Sequence, residues 1–140
     1  MSTRTHSDGL TAGFVGIEEL PGIGGARASV GHRRARAGDL RDAYPSGTHD
    51  IELGYIGRPE PAAVADYTAA LLRSDPRCRR VVLPVPELDL EAIGWAEEAG
   101  YRYVIDVETQ EGGVSLLVTE PQWVLDQPAI LEDIPLKEQA

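Results

Sequence analysis

Residues 79–118, RRVVLPVPELDLEAIGWAEEAGYRYVIDVETQEGGVSLLV, restrict the fold more than any other stretch of the chain. A β-branched run at Val81, Val82 and Leu83 precedes a segment that carries both ends of a helix. Asp89 stands where an N-cap accepts first-turn amide protons, and Leu88 before it is placed to staple against Ile93. Gly100 follows the last apolar position, where a left-handed residue closes a helix and glycine takes that conformation without steric cost. Two more strand candidates follow, Tyr101 to Val107 and Val114 to Val118, joined by a Gly-Gly turn. The order is strand, helix, strand, turn, strand, so the first strand and the helix must share one apolar layer.

Upstream, Phe14, Val15, Ile17 and Leu20 mark a strand within residues 13–20, closed by the PGIGG cluster. Residues 26–30 read as its hairpin partner, and the Arg-rich piece leading to Ala43 as either a short helix or an irregular arm. Ser46 and Gly47 mark a turn before a central strand, Ile51 to Ile56. Pro61 suits a first helical position because its missing amide proton is not needed there. Val64, Tyr67, Thr68, Leu71 and Leu72 recur at helical spacing up to Ser74, and Pro76 bars continuation. Three segments result: a flexible terminus at 1–12, one folded domain at 13–120, and a partly docked tail at 121–140 carrying Trp123, Val124, Leu125, Ile130 and Leu131.

A chain of 140 residues supports one core, and 42% apolar with 26% charged residues excludes a wholly disordered chain. The net charge of −10 opposes binding to a polyanion, so nucleic acid is not an expected partner. No apolar run reaches the roughly 18 residues that span a bilayer, and the first residues lack a signal-peptide core. One cysteine, Cys78, cannot form an internal disulfide, which fits a soluble, cytoplasmic protein. Two basic islands, one with His32, Arg33, Arg34, Arg36 and Arg41 and one with Arg73, Arg77, Arg79 and Arg80, either hold an anion or pair with the abundant acids.

The run ending Ala99-Gly100-Tyr101 before a strand, turn and strand, together with GFVGIEEL from Gly13 and DAYPSGTHDIELGYIGRPEP from Asp42, resembles the GCN5-related N-acetyltransferase superfamily. The likeness covers about 13–120 and points to the branch that acylates amino groups in hydroxamate siderophore assembly and aminoglycoside modification. It implies an α/β (α+β) fold: a mixed, mostly antiparallel sheet with a central V-shaped splay and two main helices. Pro84 and Pro86 fit that splay, since neither can donate a ladder hydrogen bond. Against the family pattern the chain is N-terminally shortened, with no first strand or following helix pair before Gly13. An apolar face or edge would then need cover, which predicts a homodimer or a pathway protein partner.

The same resemblance implies coenzyme A held at a glycine-rich loop before the helix, where bare amides meet the pyrophosphate. Here the glycine places fall on Val64, Asp66 and Thr68, with Glu60 and Asp66 adding negative charge. No cofactor is expected on this reading, and acetyl-CoA belongs only to the alternative. The family's central-strand His falls on Gly54, with His49 five residues earlier. Its Glu-Pro-Asp and Asn places read Pro84, Val85, Pro86 and Asp89, and its helix Tyr falls on Ala96.

Catalytic candidates that remain are Glu52, a possible base on the central strand, Asp50 two residues before it on the same face, and the Tyr55 hydroxyl. Tyr101, Tyr103, Trp95 and His49 are candidate substrate contacts. The plainer alternative makes the two acids surface or ion-pair residues and the aromatics core. Histidines at 6, 32 and 49 lack metal-ligand spacing, and Cys78 has no recognisable base near it, so no metal site or nucleophile triad is expected. Three readings stand: a repurposed acetyltransferase-like domain that binds or transforms a small metabolite in a biosynthetic pathway, an acyl-CoA-dependent N-acyltransferase acting on an amine, and a non-catalytic dimerising or regulatory partner.

Overall fold

Strand alternation and two amphipathic helices assemble one six-stranded sheet, seen in a computed structural model that describes residues 10, 13–38, 40–44 and 47–126. Expectations for residues 1–9, Ser46 and 127–140, including the docking of Ile130 and Leu131, fall outside the described residues. The elements are β1 (Val15–Pro21), β2 (Arg27–Arg34), β3 (Ile51–Ile56), α1 (Pro61–Ser74), β4 (Val81–Pro86), α2 (Leu90–Glu98), β5 (Arg102–Thr109), β6 (Gly112–Thr119) and the short α3 (Gln122–Leu125). Spatial order is β1-β2-β3-β4-β6-β5. Every neighbouring pair is antiparallel except β3 and β4, which run parallel. The expected mixed, mostly antiparallel sheet with two main helices is present.

Side-chain alternation divides the core between the two sheet faces. Val81, Leu83 and Val85 turn to one face with Leu53 and Leu117, where Val64, Tyr67 and Leu71 of α1 and Ala92, Trp95 and Ala96 of α2 cover them. Val82, Leu116 and Val118 turn to the other face and pack under Leu40, with Tyr44 and Val107 alongside. The helices therefore lie together on one face, and the segment between β2 and β3 covers the other. Burying each such aliphatic side chain contributes about 1.5–3 kcal/mol.

α2 ends as its sequence demands. The Asp89 carboxylate accepts from the Ala92 amide at 3.0 Å, and Gly100 sits at φ +99°. The Tyr101 and Gly100 amides reach back to the Ala96 and Glu97 carbonyls at 3.1 and 3.0 Å, the paired bonds of a Schellman closure. The expected staple is absent, because Leu88 adopts φ +69° and is 83% exposed rather than packed on Ile93. The β5–β6 turn also differs from expectation. It sits at Gln110 and Glu111, and Gly112 and Gly113 are drawn into β6 opposite Thr109 and Glu108. In the Arg-rich piece, β2 extends through Arg34 and only Ala35–Ala37 forms a short 3-10 turn.

Candidate functional site

The parallel pair β3 and β4 joins at only two positions, Ile51 with Val81 and Glu52 with Val82. The Ile51 amide donates to the Arg80 carbonyl at 3.0 Å, which sets the phase. Odd residues of β3 and even residues of β4 turn their backbone groups toward each other. The next rung to the Leu53 carbonyl would come from the amide of residue 84, and the following one from residue 86. Both are proline and have no proton to give. The ladder stops there, while β6 continues to pair with β4 as far as Pro86. A V-shaped gap opens between β3 and β4, and a cavity of about 330 Å3 beside it is lined by Glu52, Pro84, Val85 and Pro86 with Leu40 and Glu111.

Glu52 lines this cavity from the centre of the sheet, but its carboxylate is already engaged. Arg33 lies directly opposite on β2 and donates from Nε and Nη2 to its two oxygens at 3.0 and 3.2 Å. Both side chains are less than 10% exposed, and the Phe14 ring lies 4.2 Å from the guanidinium carbon. Asp50 shares the face and is also taken up, accepting from the Tyr44 hydroxyl at 3.1 Å and the Gly47 amide at 2.9 Å with Arg80 at 3.8 Å. Burial, with Asp50 adjoining, pushes the Tyr44 hydroxyl pKa up. Asp50 therefore ties the loop before β3 to the sheet.

The remaining candidates do not converge on the gap. Tyr55 lies on the helix-bearing side, its ring centroid 4.7 Å from that of Trp95, and burial pushes its pKa up. Trp95 donates through Nε1 to the Pro59 carbonyl at 2.7 Å, and the Arg58 guanidinium carbon stands 5.3 Å from its ring. Tyr101 is buried in the core, its hydroxyl 2.6 Å from that of Thr68. Tyr103 is 45% exposed on β5, and the His49 carbonyl accepts from Arg34 at 2.8 Å. At Gly54 a side chain would run into the Phe14 ring at 2.7 Å and Leu10 at 2.9 Å, so the packing leaves no room there for an imidazole.

The first basic island resolves into separate partnerships. Arg33 holds Glu52, Arg34 holds Asp75 and the His49 carbonyl, and Arg36 reaches Thr48. His32 bonds through Nδ1 to the Tyr67 hydroxyl at 2.9 Å. The plainer reading, in which Glu52 pairs with the basic island, fits this contact; which arginine it takes depends on the register between β2 and β3, which the intervening residues do not encode as a short turn.

The loop from β3 into α1 is closed in by its neighbours. Gly57 takes φ +73° against the backbone of Arg27 and Ala28, where any side chain would collide. The Arg58 carbonyl accepts from the Ile23 amide at 2.9 Å, and the Glu60 amide donates to the Pro21 carbonyl at 2.8 Å. The Ala63 and Val64 amides turn back to the Glu60 carbonyl at 3.0 and 3.1 Å. Pro59 and Pro61 have no amide proton. Between Pro59 and Val64, Ala62 alone presents an amide without a partner among the described residues.

A sheet of this order, with one parallel pair that splays and two helices on one face, is the acetyltransferase fold of the GCN5-related superfamily. Solved structures bear this out. Aminoglycoside acetyltransferase AAC(6')-Ib in complex with coenzyme A and kanamycin matches with a TM-score of 0.57 at 16% identity, over 71% of this chain and 63% of that one. The same enzyme with ribostamycin and coenzyme A matches at 0.58 and 16%, over 75% and 64%. An uncharacterized protein from Bacillus halodurans matches at 0.58 and 15%, over 72% and 56%. The chain thus spans less than two thirds of each of these proteins. No protein-family model matches the sequence, and no curated protein does. No helix among the described residues is long and apolar enough to cross a membrane.

Proposed function

We propose that this chain is an acetyltransferase-fold protein that does not hold acyl-CoA and instead binds a small metabolite in the gap between β3 and β4, in a biosynthetic pathway. One observation carries the reading: between Pro59 and Val64 the amides that would cradle a diphosphate are missing or taken. Two prolines, the Glu60–Pro21 bond and the two bonds returning to the Glu60 carbonyl leave the start of α1 with the Ala62 amide, beside the Glu60 carboxylate. A helix N-terminus binds anions through several convergent N–H groups, and a neighbouring carboxylate opposes them. Between Pro59 and Val64 the backbone therefore does not fit the cofactor's diphosphate, and no acyl transfer is routed through it.

Thermal unfolding with acetyl-CoA tests this reading. A ligand at about 100 times its dissociation constant stabilises the native state by roughly 2.7 kcal/mol. No shift is expected, and a saturable one would return the chain to the acyl-CoA-dependent N-acyltransferases. Exposed Tyr103, Val104 and Ile105 on the edge strand β5 support a second reading, in which another copy or a pathway protein covers that edge. Light scattering on the purified chain checks it, a dimer being expected and a monomer removing the self-association. A cytoplasmic location belongs to the same proposal and rests on the unpaired thiol of Cys78.

A further inference from the structure

We propose a second ligand site, outside the gap between β3 and β4, that takes an apolar α-amino acid. Its frame is a cavity of about 550 Å3 where the β1–β2 turn, the loop after β3 and one face of α2 meet, lined by Ile23, Arg58, Glu91, Gly94, Trp95 and Glu98. That size lies within the roughly 300–1,000 Å3 of small-molecule sites. None of these residues lines the cavity beside the gap. Arg58 carries its unmet charge. In a chain of net charge −10, the Arg58 guanidinium has no hydrogen bond or ion pair among the described residues, and Nη1 is shut away from solvent without an acceptor. Trp95, its ring 5.3 Å from the guanidinium carbon, holds the group at the cavity wall. A desolvated cation without a partner is costly, and an acceptor from outside the chain would relieve it.

Gly94 supplies the floor. A glycine inside a helix costs stability relative to alanine, and no neighbour requires one here, since a Cβ would meet nothing within 4 Å beyond the helix's own backbone. The bare backbone instead deepens the cavity between Glu91 and Glu98, which stand two turns, roughly 10 Å, apart on one face of α2. Neither carboxylate has an ion-pair partner among the described residues, Arg58 included. The cavity therefore presents one cation and two anions that do not satisfy one another. A carboxylate alone would answer Arg58 and be opposed by Glu91 and Glu98, and an ammonium alone would meet the reverse. A zwitterion answers both, its carboxylate on the Arg58 fork and its ammonium over Gly94 beside Glu91 or Glu98. Trp95 and Ile23, the latter 46% exposed, give an apolar side chain its surface. A free amino acid is the smallest molecule with all three parts.

Titration of 15N-labelled protein with L-leucine, 4-methylpentanoate and 3-methylbutylamine, read at the Gly94 amide and the Trp95 indole, separates the two charges. Leucine is expected to shift both signals saturably, at about one tenth of the concentration that either single-charge analogue needs. Arg58→Met keeps an apolar stem against Trp95 and removes the guanidinium, and Gly94→Ala raises a methyl group from the floor while favouring the helix. Each should weaken leucine binding about tenfold. Gly94→Ala should at the same time raise the unfolding temperature, so its loss of binding is not a loss of fold. No saturable response to leucine, an equal response to either analogue, or wild-type affinity in either variant would overturn the assignment. None of these outcomes touches the reading of the gap, which the acetyl-CoA thermal shift tests separately.

Discussion

Arg33 and Glu52 hold each other where the sheet is most enclosed, so the pair governs stability before any chemistry. A buried ion pair contributes little against an apolar substitute of similar volume, but removing one partner strands the other charge. Glu52→Gln is therefore expected to cost about 3–5 kcal/mol in urea unfolding, whereas Arg33→Met with Glu52→Leu should cost clearly less than the single change. A Glu52→Gln protein of wild-type stability would show that the pair is not closed in solution. His32 makes a second local prediction. Tyr67 donates to the Gly16 carbonyl at 2.7 Å, so its oxygen accepts from His32 Nδ1–H. Burial, then the charge of Arg34, lowers the His32 pKa. The unfolded chain then takes up the proton first. Stability is complete above the unfolded value of about 6.5 and is lost as pH falls below it toward the lower folded value. Urea unfolding followed from roughly pH 7.5 to 5.5 should weaken in the wild type. His32→Asn, whose amide nitrogen can replace Nδ1–H, should flatten that dependence.

α2 and the loop before it show what a sequence declares and what it hides. Asp89 and Gly100 announced the helix ends because caps act over three or four residues, and the same locality made Pro61 and the stripe through Val64, Tyr67 and Leu71 readable. Pro84 and Pro86 announced the gap for an equally local reason, the absence of a donor. The Leu88 staple failed because the turn out of β4 needs a left-handed residue, and a leucine there leaves no mark that distinguishes it from a packed one. Glu52 lies on the central strand, and pairing with the basic island is the plainer of its two sequence readings; that Arg33 is the partner depends on cross-strand register, which no local pattern carries. Leu88 itself yields a prediction. At φ +69° and 83% exposed, it bears the steric cost of the left-handed region without packing to offset it. Leu88→Gly should raise stability by about 0.5–1 kcal/mol, the left-handed cost of roughly 1–2 kcal/mol less the entropy that glycine adds to the unfolded chain. A loss in thermal or urea unfolding would mean that Leu88 is covered in solution, which would turn attention to a partner at that loop.

The molecule as a whole is asymmetric about its sheet. One face is roofed by two helices that close over Leu117, and the other by Leu40 and its loop over Leu116. Adjacent residues of β6 thus report on unlike environments, though both are at most 2% exposed. Truncating a buried leucine to alanine costs about 2–5 kcal/mol, the higher end applying where surrounding atoms cannot fall into the space. Around Leu117 the walls are Trp95, Ala96 and Tyr101, held by helix geometry and by the Tyr101–Thr68 and Trp95–Pro59 bonds. Around Leu116 they include Val104 and Ile105, each 48% exposed on an edge strand whose register slips between Tyr103 and Ile105. A cavity of about 150 Å3 already lies there. Leu117→Ala should therefore fall near the upper end of that range and Leu116→Ala near the lower, both read from urea midpoints with an unchanged denaturant slope. If Leu116→Ala proves as costly as Leu117→Ala, the β5 side is as firmly walled as the helix side. The exposed edge would then be covered in solution, with the partner on β5 as the cover.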